Sequence, residues 1–131
     1  MIEFIVPGDP VPQPRPRVSM RGGFARAYVP ADHPVHCYRA RIHEAAVAAG
    51  LTSRDEPFSV SIDAMFVRPK SHLLKCGALK SAAPLLPRPD VDNIAKAVLD
   101  ALGELFDDTL VYRLCIGKGY GERAYTHVTI E

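Results

Sequence analysis

Regular alternation between apolar and polar side chains marks the clearest element in this chain. Apolar residues stand at every second position from Phe58 to Phe66, and Pro69 follows the pattern. Successive side chains of a strand point to opposite faces, so this period of two predicts a strand with one buried face. Shorter stretches with a similar composition predict strands at residues 2–6, 24–29, 110–116 and 124–130.

Glycines near the end of the chain predict how its last two strands are connected. Gly119 and Gly121 lie between the predicted strands at 110–116 and 124–130. Glycine readily adopts the backbone conformations that tight turns need. We therefore expect these two strands to pair with each other as a β-hairpin.

Two stretches show the helical period instead. The first covers residues 34–49, where apolar side chains recur at spacings of three and four. The second runs from about Asn93 to Leu102 with similar spacing, so each helix has one apolar stripe. The first helix is predicted to have Pro34 in its first turn and to end at Gly50. The second is predicted to have Asp92 or Asn93 as its N-cap and to end at Gly103.

Two further segments show neither period. Residues 7–17 contain five prolines, which lack the amide donor of a strand ladder, so this segment is predicted to be extended and irregular. Residues 70–89 are predicted to form a long mobile loop, and loops of this length in compact domains are usually functional or disordered. The order of elements predicts one α+β domain spanning residues 1–131, with two helices packed on a small mixed β-sheet.

Composition narrows the class of protein. An apolar content of 47% argues against disorder. No run approaches the roughly 20 apolar residues of a membrane span, and the first residues do not resemble a signal peptide. Cys37, Cys76 and Cys115 are far apart and odd in number, which favours free thiols over a zinc knuckle or a disulfide framework. These features predict a cytoplasmic protein with no membrane association.

Charge is divided between two neighbouring blocks. Residues 68–89 hold five cationic side chains and no acid, whereas residues 90–108 hold six acids and Lys96 as the one cation. Ordinary surface charge explains such blocks in many proteins. The alternative is a cation site beside a phosphate-binding surface.

The acidic block contains the residues that carry candidate chemistry. Asp90 and Asp92 are two apart where the second helix is predicted to begin, and in an extended segment they would project to the same side. Two adjacent carboxylates repel unless a cation lies between them. Lys96 lies one helical turn after Asp92, where it could form an ion pair or approach a phosphate. Asp108 follows the helix and could join the pair only if the chain folds back.

The available ligands point to a particular type of metal. Carboxylate oxygens without a histidine or cysteine cluster suit Mg²⁺ or Mn²⁺ and not Zn²⁺. A bound ion of this type can activate water and stabilise charge during phosphodiester cleavage. Acidic helix caps and acidic turns are also common structural features, so the spacing of the aspartates alone leaves both interpretations open.

The block PRPDVDNIAKAVLDALGELFDD resembles the RusA family of Holliday junction resolvases, including its phage and prophage members. The PVPQPRPR segment near the start, FVRPKSHL before the long loop, and Lys118-Gly119-Tyr120 also resemble that family. The resemblance covers nearly the whole chain. The loop at 70–89 departs from it, since it is longer and more apolar than the short basic run of some resolvases.

The resemblance implies a homodimer that binds four-way junctions or related branched DNA and nicks two strands. It implies that the reaction uses Mg²⁺, for which Mn²⁺ could substitute. It implies that Asp90, Asp92 and Asp108 are metal ligands, with Asp108 ranked above Asp107, and that Lys96 is an essential basic residue near the phosphate. It also implies a cytoplasmic, nucleoid-associated protein of phage or prophage origin. The residues expected to contact DNA are Arg15, Arg17, Lys70, Arg88 and Lys118, with Arg21 and Arg26 as further members of a phosphate-binding arm.

Two other functions remain open from the sequence. A catalytically inert protein that binds branched DNA could keep the same acids as caps and a turn. A protein-interaction module unrelated to DNA could use the apolar residues of the 70–89 loop. Phosphate contacts demand a steep dependence of affinity on salt, which distinguishes the last of these from the first two.

Overall fold

Six strands and two α-helices make up the fold in the computed structural model, which describes all 131 residues. Most predicted elements are present within two residues of their expected ends. In chain order they are β1 (Ile2–Pro7), β2 (Arg17–Ser19), β3 (Arg26–Tyr28), α1 (Val35–Ala48), β4 (Phe58–Val67), α2 (Val91–Leu102), β5 (Val111–Gly121) and β6 (Tyr125–Ile130).

The main sheet is mixed and has four strands in the order β1-β6-β4-β5. β6 runs antiparallel to both β1 and β4, whereas β5 runs parallel to β4. β2 and β3 form a separate antiparallel ribbon. This arrangement confirms the predicted α+β class with two helices and a mixed sheet.

The predicted hairpin between β5 and β6 is wrong. Both strands pair with β4, one along each of its edges, so β4 separates them. Gly119 and Gly121 lie within β5, where the Met65 side chain of β4 approaches them, and the turn comes later at residues 122–124. β4 is the most apolar strand, and its position between β5 and β6 gives the backbone groups on both of its edges hydrogen-bond partners. A hairpin formed by β5 and β6 alone would leave β4 without those partners.

Both helices contribute to a core on one face of this sheet. Alternate residues of β4 and β6 are fully buried there, and the stripe of α1 packs on them through Val35, Tyr38 and Ile42. The buried stripe of α2 includes Ile94, Val98 and Leu102. Beyond α2, the ring of Phe106 meets Phe58 edge-on at a centroid distance of 4.4 Å. Neither helix is long and apolar enough to cross a membrane.

One polar pair lies inside this core. The Tyr38 and Thr126 hydroxyls are hydrogen-bonded at 2.6 Å, and both residues are almost completely buried. Burial raises the pKa of Tyr38 from 10.0 to about 12, because the phenolate would lose its hydration. The neutral phenol is therefore the form that the folded protein favours.

This pair predicts a loss of stability at alkaline pH. A folded-state pKa above the unfolded value stabilises the protein fully below pH 10, and that contribution disappears as the pH rises from 10 towards 12. Urea unfolding at several pH values between 9 and 12 would measure the decline. In Tyr38→Phe the Tyr38-dependent part of the decline should vanish, so an unchanged pH profile in this variant would contradict the assignment.

Candidate active site

The predicted acidic pair lies at the amino end of α2, but the helix begins earlier than expected. Asp90 is the N-cap, with extended backbone (φ −71°, ψ 139°), and Val91 is the first helical residue. The expected N-cap at Asp92 or Asn93 is therefore wrong, and Asp92 lies within the first turn instead of an extended segment. Both carboxylates are exposed. The helix N-terminus favours negative charge here, since its first amides lack intrahelical partners.

Neither Asp90 nor Asp92 has an ion-pair partner within the chain. The Asp90 side chain forms no capping hydrogen bond, although aspartate commonly does so at this position. The chain's four ion pairs involve neither Asp90 nor Asp92. A purely structural capping role is therefore weakly supported for Asp90.

Lys96 does not pair with Asp92, the ion pair that helical spacing made possible. Its ammonium lies 3.4 Å from a carboxylate oxygen of Asp100, one turn further along α2. The Lys96 side chain is 61% exposed, and exposed pairs at this spacing contribute only about 0.3–0.5 kcal/mol. This pair therefore restrains the Lys96 side chain only weakly.

Asp108 lies at the opposite end of α2 from the acidic pair. It lines a groove together with Leu99, Asp100 and Gly103, which belong to the last turn of the helix or follow it directly. A helix of 12 residues is roughly 18 Å long, so the fold keeps Asp108 far from Asp90. The return of the chain that would bring them into contact does not occur within one molecule.

Asp107, the neighbour of Asp108, has a local structural role. Its carboxylate accepts a hydrogen bond from the amide of Thr109 at 3.0 Å and caps a short 3-10 turn that precedes β5. This bond lowers the pKa of Asp107 below its ordinary value, because it stabilises the charged form. Asp107 therefore has a local structural explanation, and the ranking of Asp108 above Asp107 stays a prediction.

The positions of Asp90, Asp92 and Asp108 decide whether the three carboxylates could bind one divalent cation together. Carboxylate oxygens are suitable donors for Mg²⁺, but no group of three acidic, histidine or cysteine side chains in one chain is arranged to hold a metal ion. Within a single molecule the residues therefore do not fit a three-carboxylate metal site. Asp90 and Asp92 would be one part of such a site and Asp108 a separate part.

The proline-rich segment runs beside the start of α2. The amide of Gln13 donates a hydrogen bond to the carbonyl of Asn93 at 2.9 Å. The Oε1 atom of Gln13 is buried and has no hydrogen-bond partner. The sequence offered no signal for Gln13, because its position depends on a contact between segments 80 residues apart.

The predicted DNA-contacting residues occupy three places. Arg15 and Arg17 are exposed at the end of the proline-rich segment and the start of β2. Lys70 is exposed in a 3-10 turn after β4, and Arg88 is exposed two residues before Asp90. Lys118 is half-buried, and its ammonium donates hydrogen bonds of 2.8 Å to the carbonyls of both Pro87 and Pro89.

The loop at 70–89 is therefore attached to the sheet at its end, directly before Asp90. A second attachment joins the Arg68 guanidinium to the carbonyl of Pro84 at 2.7 Å. Within the loop, Leu73 and Leu79 form an isolated β-bridge. These contacts make Lys118 an anchor that positions the entry to α2.

Comparison with known proteins gives two findings. The family model described as "Endodeoxyribonuclease RusA" matches residues 7–131. The chain is also 34% identical over 142 aligned positions to the Bacillus subtilis (strain 168) protein described as "Uncharacterized protein YqaN". That alignment covers 98% of this chain and 94% of the relative, so the two proteins are similar throughout.

Proposed function

This chain belongs to the RusA endodeoxyribonuclease family, and on that premise we propose that it is a Mg²⁺-dependent endonuclease that resolves four-way junctions or related branched DNA by paired nicks. The family supports a hydrolase that acts on branched DNA. The observation that carries the finer proposal is the exposed Asp90–Asp92 pair at a helix N-terminus, with no partner in the chain. Basic residues lie on both sides of it, Arg88 before the pair and Lys96 after it.

A homodimer is part of this proposal, and β5 is the surface that supports it. β5 is an edge strand of 11 residues, with β4 along only one side. Tyr112 and Leu114 of this strand are 69% and 42% exposed. Long, flat, apolar edge strands tend to pair with another chain unless they are covered. A second copy of the same strand is a suitable cover, because a two-fold axis pairs identical strands antiparallel.

Antiparallel pairing of two β5 strands would also bring the separated acids together. In each chain Asp108 precedes the start of β5, whereas Lys118, near its far end, is hydrogen-bonded to the residue before Asp90. Reversing the second strand would therefore bring its Asp108 towards the first chain's acidic pair. The dimer would contain two such sites, one for each strand of a substrate with near two-fold symmetry.

In this assembly Asp90 and Asp92 of one chain and Asp108 of the other would hold the cation, with Mn²⁺ as a substitute for Mg²⁺. A bound cation of this class supplies an activated water and stabilises charge on the phosphate. The chain's own contribution is to orient the carboxylates through the helix entry that Lys118 anchors. Lys96 would place a positive charge near the scissile phosphate after leaving Asp100.

Nicking of an end-labelled synthetic four-way junction by the purified protein tests the proposed reaction. We expect cleavage with Mg²⁺ or Mn²⁺ and none in EDTA, with cuts at symmetric positions in opposite strands. Tight binding without cleavage at any concentration of either ion would instead indicate the inert DNA-binding protein. Absence of salt-sensitive DNA affinity would favour the protein-interaction module.

The exposed arginines near the proline-rich segment predict a measurable share of the electrostatic affinity. Replacement of both Arg15 and Arg17 by alanine should weaken binding to junction and duplex alike. It should also reduce the slope of log affinity against log salt by about two, one for each phosphate that the variant no longer neutralises. Arg54→Ala is the matched control, since Asp55 and Glu56 follow it directly. Equal slopes for the double variant and the wild type would exclude these arginines from the interface.

A further inference from the structure

A pocket of about 560 Å³ lies at the end of the 70–89 loop, directly before the acidic pair. It is the most apolar of the larger cavities and is lined by rings from three separate segments. Phe66 comes from the end of β4, Tyr120 from the end of β5, and the remaining ring-bearing residues from the loop. These residues are His72, Pro84, Pro87 and Pro89, together with Pro69 directly before the loop.

The walls of this pocket are held in place by contacts within the chain. The guanidinium carbon of Arg68 lies 4.3 Å from the centroid of the Tyr120 ring, and the same guanidinium donates to the Pro84 carbonyl. The ring of His72 meets Tyr120 at right angles with centroids 5.9 Å apart. Pro87 is buried beneath the Lys118 ammonium that binds its carbonyl. The pocket is therefore largely formed before any ligand binds.

The polar groups of the pocket suit a ligand that is flat, aromatic and attached to phosphates. His72 lines the pocket, and its Nδ1 atom is buried without a hydrogen-bond partner in the chain. Arg88 is exposed in the pocket lining, and the block from residue 68 to 89 contains no acid. The lining residue Pro89 is followed by Asp90, which places the pocket next to the proposed reaction site.

From this arrangement we infer that the pocket binds one unstacked nucleobase of the branched DNA, close to the scissile phosphate. The inference rests on the proposed function and adds a specificity element to it. Aromatic rings provide a stacking surface for a base, and the surrounding cations complement the phosphates on either side. A proline-rich peptide would also fit rings of this kind, but it would not need the exposed Arg88 beside them or the acid-free block around it.

This pocket would also favour branched over fully paired DNA. A base inside a duplex must leave its stack to enter a pocket, which costs a few kcal/mol and costs least where pairing is already disrupted. Bases at a branch point meet that condition. Contacts between the pocket lining and the base edge would then give the cleavage reaction a sequence preference at one position.

A scan of single abasic nucleotides through the branch of a synthetic junction tests the inference with the wild-type protein. Affinity is measured in Ca²⁺, which replaces Mg²⁺ to limit cleavage. We expect one position, repeated by symmetry, at which the missing base weakens binding by about 5- to 150-fold, the range that base–aromatic stacking provides. Uniform affinity across all positions would overturn the inference.

Variants of Tyr120 assign the effect to the pocket. Tyr120→Ala should lose the same factor on the intact junction and lose nothing more on the junction that lacks the recognised base. Tyr120→Phe keeps the ring and should bind like the wild type, and thermal unfolding of each variant verifies its fold. If the wild type nicks the junction and Tyr120→Ala binds it equally well, the pocket inference fails while the proposed function stands. If the wild type binds no branched DNA, both fail.

Discussion

Replacement of Asp90 by asparagine should reduce junction nicking by at least about a hundredfold while binding to the same junction stays within a few-fold of wild type. Asparagine is as good an N-cap as aspartate, so α2 should keep its start and its stability. The exposed carboxylate is lost, and with it one of the proposed ligands for the cation. A carboxylate repels nearby phosphates, so its removal should not weaken DNA binding. The loss should therefore appear in cleavage alone.

Single-turnover nicking and a binding titration, both with purified protein, would separate these two effects. Asp32→Asn is a suitable control, because Asp32 is also exposed but lies in the turn before α1. Near-wild-type cleavage by Asp90→Asn would remove Asp90 from the metal site. A parallel loss in both variants would indicate a general effect of charge and not a ligand.

Mixing two inactive variants should restore cleavage. In a dimer of Asp90→Asn with Asp108→Asn, one site combines both substitutions and the other combines the native Asp90 and Asp92 of one chain with the native Asp108 of its partner. Random assembly makes half of the dimers mixed, and each has one complete site of two. The mixture should therefore recover about one quarter of the wild-type nicking activity, whereas each variant alone remains inactive.

Co-expression of the two variants with different affinity tags would give mixed dimers that can be purified and assayed, and these should keep about half of the wild-type activity because each has one complete site of two. Native mass spectrometry verifies their composition. Mixed dimers that remain inactive would show that Asp108 acts on the same chain's Asp90, or not at all. A protein that stays monomeric at every concentration would remove the shared site and leave the Asp90→Asn prediction unaffected.

The sequence predicted local structure well because each element has a local cause. The alternation around Ile62 and the apolar stripe through Ile42 each depend on neighbours a few residues away. The pairing of β5 depends on which distant strand is most apolar, so the glycines near its end misled the local interpretation. The start of α2 was placed two residues late, because Asp90 and Asp92 are both suitable caps.

The candidate site shows the same difference between local features, which the sequence predicted, and long-range contacts, which it did not. Asp90, Asp92 and Lys96 lie within two helical turns, so their spacing located them as a group. Asp108 matched a family pattern, but its distance from the pair along α2 could be seen only in the fold. The pocket around Tyr120 could not be predicted at all, because its rings come from separate segments that extend from Phe66 to Tyr120 along the chain.

The uncovered edge of β5 has a consequence for how this protein would behave at low abundance. If each cutting centre needs two chains, activity falls with the square of the chain concentration once most molecules are separate. A cell with few copies would then contain mostly inactive monomers, while a modest rise in expression would produce a disproportionate rise in nuclease activity. Synthesis rate alone could thus restrain an enzyme whose misdirected cuts would break chromosomes.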